Sequence, residues 1–117
     1  MNGAQLLDKE EEITTRYRAF LLEVQEAFDR HCDEIKAEAT KQIAAIPESD
    51  QEARKRVLDD QKAQLDQTLM ELKQLLSQKA AEVRVQLEEI ANLRDQQEFN
   101  VDEALAGFGS DQQKEAI

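Results

Sequence analysis

The chain has 117 residues, enough for one domain, and its four Phe, one Tyr and no Trp leave aliphatic side chains to build any core. Three Gly and one Pro are too few for the turns of a sheet, so the mixture of aliphatic and charged residues belongs with long helices and coiled coils. Fifteen Lys and Arg against 26 Asp and Glu give a formal net charge of -11, a field that repels phosphate backbones and anionic lipid and so argues against nucleic-acid and membrane partners.

The one basic run, Arg54-Lys55-Arg56, spreads around a helical cylinder and reads as a solvated face. Cys32 is alone, which rules out an intrachain disulfide and a thiolate metal cage and suits a reducing compartment. The longest apolar runs, 19–22 and 43–46, fall far short of the roughly 18 residues that a membrane span needs. No basic segment followed by an apolar core opens the chain. A cytoplasmic location is the resulting expectation.

Asn2 is placed to cap a first helix, with Gln5 three residues on, and the spacing predicts helix over 3–46. Leu6, Ile13, Tyr17, Phe20, Val24, Phe28, Cys32, Ile35, Ala39, Ile43 and Ile46 share one face of it. From Ile13 to Ile46 that face advances 33 residues in nine turns, about 3.67 per turn, the period of an eleven-residue repeat.

Pro47 disfavours helical geometry at Ile46, and Ser49 with Glu52 has the spacing of a capping box, which predicts a turn over 47–49 and a second helix over 50–95. Leu58, Leu65, Leu69, Leu72, Leu76, Ala80, Val83, Leu87 and Ile90 form its apolar face, with Leu69, Leu76, Val83 and Ile90 at strict seven-residue spacing. A reversal at Glu48 would bring together residues whose numbers sum to about 96. Phe20 then meets Leu76, Val24 meets Leu72, Phe28 lies near Leu69, Ile13 meets Val83, Leu6 meets Ile90 and Ala39 meets Val57. The fold class expected is all-α: an antiparallel two-helix hairpin, a coiled-coil-like rod, over residues 1–95.

Residues 96–117 change character, with five acids, one base and two of the three glycines. A short third helix over about 101–107 is expected, capped by Asn100 with Glu103 and ended by Gly107 and Gly109. Phe99 would staple against Ala104, while Val101, Leu105 and Phe108 share a face. Such a piece is marginal alone in water, so it either packs back on the hairpin or serves a partner groove, and the polar end from Ser110 is expected to be disordered.

Two helices with one layer of side chains between them usually gain a second layer by self-association or by docking, so a dimer or a complex with a protein partner is expected. The residues left over by the hairpin indicate where. Leu22 lies far off the first stripe, Met70 and Val85 lie well off the second, and Leu75 and Leu93 sit at its margin. Ala63, Met70, Ala81 and Val85 share the back of the second helix, the first candidate interface, with Phe99, Val101, Leu105 and Phe108 as a further one.

No residue set points to catalysis, a cofactor or a metal. His31 is the only histidine and reads as a half-buried imidazole beside a carboxylate. The Glu-x-x-His pair of a di-iron bundle is missing, because Phe28 stands three residues before it. The acidic pairs and triplets fall within expected helices and not in a calcium loop, and there is no phosphate-binding glycine loop. The expected function is a non-enzymatic interaction module, an adaptor or small chaperone-like or scaffolding subunit that works by helix-on-helix packing. The alternative is a structural homo-oligomer in which two hairpins form a four-helix bundle. A third reading, an acidic decoy of a basic nucleic-acid-binding surface, is disfavoured because acids alternate with bases along both arms.

Overall fold

A computed structural model describes the backbone of residues 2–116 and the side chains of residues 2–97. Among the described residues it is all-helical, with two long helices, α1 (Gly3–Ala44) and α2 (Gln51–Ala116), packed on each other as a hairpin.

Helix α1 begins as its sequence requires. The Gln5 amide N–H donates to Asn2 Oδ1 at 2.8 Å, and the Asn2 N–H donates to Gln5 Oε1 at 3.0 Å, a reciprocal box that satisfies two donors with no helical partner. At its other end the helix tightens. The Ala45 and Ile46 N–H groups donate three residues back, to the Gln42 and Ile43 carbonyls, at 3.2 and 3.0 Å. Pro47 offers no N–H and its ring keeps Ile46 out of helical geometry, so the chain leaves the axis there. The reversal uses no positive φ and no cis peptide, which is why no glycine is needed.

The cap of α2 sits one residue later than the sequence spacing suggests. Asp50, not Ser49, accepts from the backbone at the third helical position, with the Ala53 N–H 3.2 Å from Asp50 Oδ1. Ala53 has no polar side chain to answer with, so there is no reciprocal box here. A turn instead draws the Asp50 N–H to the Pro47 carbonyl at 3.0 Å, and the Gln51 side-chain amide donates to the Glu48 carbonyl.

The chain divides into two compact units, Arg18–Ala80 and Met1–Tyr17 with Ala81–Ile117. In the first, the inward positions are Leu21, Val24, Phe28, Cys32, Ile35, Ala39 and Ile43 of α1 and Ile46 just beyond its end, all buried or half-buried. Those of α2 are Arg54, Val57, Gln61, Leu65, Thr68, Leu72, Leu76 and Lys79. Both sets step by three, four and four residues in the same order, the eleven-residue pattern of a nearly straight seam.

Facing residues in this unit have numbers that sum to about 100, not 96. Arg54 reaches the Ile46 carbonyl at 2.9 Å, and the Lys79 ammonium lies 5.1 Å from the centre of the Phe20 ring. Phe28 is therefore level with Leu72 and not Leu69, Val24 with Leu76 and not Leu72, and Ala39 with Gln61 and not Val57. The shift is about one helical turn. Its cause lies in the reversal, where the turn from Pro47 to Asp50 starts α2 so that Arg54, at its fourth position, caps the end of α1.

In the second unit, Glu10, Ile13 and Tyr17 of α1 and Val83, Leu87 and Ile90 of α2 are the inward positions at the same sum. Ile13 is thus level with Leu87 and Leu6 with Arg94, displacing the pairings with Val83 and Ile90. Leu6 is fully buried, at 0% exposure, and Arg94 donates to Glu10 across the seam.

Three expected core positions of α2 turn outward. Leu58 is 51% exposed, Leu69 is 40% exposed and Ala80 is exposed, while their neighbours Val57, Thr68 and Lys79 face the seam. At Leu69 and Ala80 the expected stripe selects the apolar neighbour, whereas the eleven-residue geometry holds the position and accepts Thr68 and Lys79; at Leu58 both neighbours are apolar and the geometry takes Val57. Thr68 is buried there because its hydroxyl donates to the Gln64 carbonyl at 2.8 Å, within its own helix.

A separate third helix is not supported. The helix of α2 runs on to Ala116 with no break at residues 96–100, where neither Pro nor Gly stands to interrupt it. Gly107 and Gly109 each weaken a helix interior by about 1 kcal/mol, which does not by itself end one.

Candidate functional site

Among the described residues, the side chains that the hairpin leaves uncovered are candidate surfaces. In the Arg18–Ala80 unit, Leu22 is 62% exposed and Met70 is 55% exposed, each on the side of its helix away from the seam, and Ala63 is exposed as well. Leu75 is also exposed, at the margin of the seam. In the other unit Val85 and Leu93 are exposed, whereas Ala81 is half-buried. Phe99, Val101, Leu105 and Phe108 lie outside the residues whose side chains are described.

Leu7, Leu58 and Leu69 join this set, and the sequence reading did not include them. Leu58 and Leu69 stand eleven residues apart, so they keep pace with the seam and lie along one of its flanks. The signal that locates them is the step pattern of α1, which repeats as four, four and three from Ile13 to Ile46 once Leu21 stands in place of Phe20, and which transfers unchanged to α2.

On another flank of the same unit lies an open groove of about 340 Å³. His31 and Ile35 line it from α1, with Ala63, Gln64, Thr68 and Glu71 from α2. Gln67 completes the lining, and its side-chain amide donates to Glu71 Oε1 at 3.2 Å. His31 is more open than a half-buried imidazole, with a side-chain exposure of 56%, and its carboxylate neighbour is Glu34, whose Oε2 lies 3.8 Å from Nδ1.

None of the seven lining residues is Lys or Arg. Glu71 is the one carboxylate that lines it, Glu34 stands beside His31, Glu38 follows one turn later on α1, and Asp60 stands one turn before Gln64 on α2. Their neighbours are weak counterweights. Glu38 accepts from the neutral Gln42 amide at 3.2 Å, Glu71 accepts from Gln67, and only Glu34 has a titratable partner, His31.

Among the described residues no three His, Cys, Asp or Glu side chains are grouped to hold a metal ion. Cys32 is a half-buried thiol within the seam. No helix among the described residues is long and apolar enough to cross a membrane. The chain matches no family model, no curated protein and no solved structure.

Proposed function

We propose that the chain is a non-enzymatic protein interaction module, an adaptor or small scaffolding subunit that works by packing a further helix against its two. The observation that supports this reading is the state of the seam: among the described residues only Leu6 is a fully buried large side chain, and eight large aliphatic residues are at least 40% exposed. Single exposed aliphatics are ordinary on any surface. Leu58 and Leu69, however, follow the repeat of the seam itself, so a third helix laid along that flank would meet them in phase.

A one-layer hairpin lacks the core that gives small domains a cooperative transition. The full chain at micromolar concentration is therefore expected to sediment as a monomer and to melt broadly, beginning below about 45 °C. A sharp monomeric transition above about 65 °C would remove the interaction-module reading. A dimer mass with a concentration-dependent melt would establish the homo-oligomer in its place.

A further inference from the structure

We propose that the flank of Leu58 and Leu69 docks an acidic amphipathic helix of a partner protein, an inference that rests on the interaction-module reading and names the partner's chemistry. Leu58 and Leu69 open two successive eleven-residue repeats of α2, each with Leu at its first position, Lys at its fifth and Leu at its eighth. The eighth residues, Leu65 and Leu76, face the seam, whereas Leu58, Lys62, Leu69 and Lys73 are exposed. One repeat is about 16 Å of helix, so a straight amphipathic helix meets the two exposed leucines three turns apart on one face.

The first arm adds to the same side. Each inward residue of α2 carries the number of an inward residue of that arm plus 33, from Leu21 with Arg54 to Ile46 with Lys79, which is a local two-fold relation across the antiparallel pair. By that relation Gln25, Asp29, Lys36 and Thr40 share the flank with Leu58, Lys62, Leu69 and Lys73, and all eight are exposed. Three of them are lysines and one is an acid, a positive strip on a chain whose net charge is -11.

The three lysines are open to a partner. Among the described residues none of Lys36, Lys62 and Lys73 is in an ion pair, whereas Arg16, Arg56 and Arg94 each meet a glutamate. Asp59 and Asp66 stand one turn either side of Lys62 but further round α2 from the seam. A helix with carboxylates beside its apolar row therefore answers the ammonium groups while its apolar residues cover Leu58 and Leu69. Charges more than about 8 Å away are screened at physiological salt, so this strip, and not the acids of the whole chain, sets the sign of the partner.

The test is fluorescence anisotropy with the full chain and a dye-labelled Glu/Leu peptide whose leucines recur at eleven-residue spacing, beside its Lys/Leu counterpart. The variant K36Q/K62Q/K73Q removes the positive charge of the flank, and L58Q/L69Q removes its apolar contacts. The variant K9Q/R30Q/K41Q takes three exposed bases from elsewhere, so its net charge equals that of the first. The Glu/Leu peptide is expected to bind the parent chain, to bind each flank variant at least about tenfold more weakly, and to bind the matched variant within about twofold. Helicity measured by circular dichroism should be the same in all four proteins.

Failure of the Glu/Leu peptide to bind the parent chain would overturn the proposal. Equal weakening in K36Q/K62Q/K73Q and K9Q/R30Q/K41Q would overturn it in favour of net charge alone. It also falls if the Lys/Leu peptide binds as tightly, if L58Q/L69Q binds like the parent, or if the parent is a dimer that L58Q/L69Q dissociates, since a second copy is then the occupant. Any of these peptide outcomes beside a broad monomeric melt removes the flank assignment and spares the interaction-module reading. A sharp, high monomeric melt removes that reading whatever the peptides do.

Discussion

Asp50 carries more of the chain reversal than its neighbours. Its side chain accepts the Ala53 N–H, its own N–H closes the turn on Pro47, and its carbonyl accepts from the Arg54 N–H at 3.3 Å. An acidic cap also faces the positive end of the α2 dipole. Asp50→Ala is therefore expected to cost about 1 kcal/mol, and Ser49→Ala less than about 0.5 kcal/mol, measured by urea denaturation of the two variants. An equal loss in both would return the cap to Ser49. The sequence made this cap ambiguous, because Ser49 and Asp50 are both strong capping types and only the first has a Glu three residues on. At the amino terminus Asn2 and Gln5 had no such competitor, and the expected box is the one present. Arg54 adds a tie that sequence spacing does not reveal: it reaches back eight residues to the Ile46 carbonyl, at the negative end of α1, and among the described residues its Nε is a buried donor without an acceptor.

For the helices, what the sequence displays is period and what it hides is phase. The period of α1 is plain because all its inward residues from Ile13 to Ile46 are apolar, down to Ala39 and Cys32. In α2 the inward series includes Arg54, Gln61, Thr68 and Lys79, and an apolar residue adjoins Thr68 and Lys79 on the outward side. Reading hydrophobicity alone moves the seam of α2 onto Leu69 and Ala80, while the shift of the pairing by about one turn comes from the reversal, which spacing centres on Glu48. Cysteine pairs test the phase directly. In a Cys32→Ser background, Phe28→Cys with Leu72→Cys should form a disulfide on mild oxidation, whereas Phe28→Cys with Leu69→Cys should stay reduced. The reverse result would restore the register centred on Glu48. The expected end of the second helix at residue 95, with a separate helix over about 101–107, is not supported for a related reason. Asn100 is a good cap in an unattached peptide, but a helix already propagating adds one hydrogen bond per residue and needs Pro or a tertiary contact to stop it.

At the scale of the molecule, the seam and the exposed leucines should separate in mutagenesis. Leu58→Lys with Leu69→Lys is expected to leave the melting curve of the isolated chain within about 0.5 kcal/mol of the parent, since neither side chain serves the seam. Leu6→Ala, at the fully buried position, is expected to cost about 2 to 4 kcal/mol in the same thermal melts. Comparable destabilisation by the two variants would mean that Leu58 and Leu69 are already covered in the working assembly. The helical hairpin was legible from composition and spacing, because long periodic arms with few glycines leave no other class. The groove was not, because it arises where Gln64, Gln67 and Glu71 of one helix pass His31 of the other, and that meeting depends on the register.

The matched steps of the two arms give the protein a natural unit of length. Cutting residues 24–34 and 66–76 together removes one full repeat from each side, and the numbers of the end residues still pair across the seam. Three turns vanish from both helices and every remaining inward side chain keeps its bearing. Taking out ten or twelve residues instead would swivel the distal part of each arm by about 100° and turn its greasy edge to water. A shorter or longer protein of this design can thus arise by paired insertion or loss of eleven residues, without redrawing a single contact elsewhere.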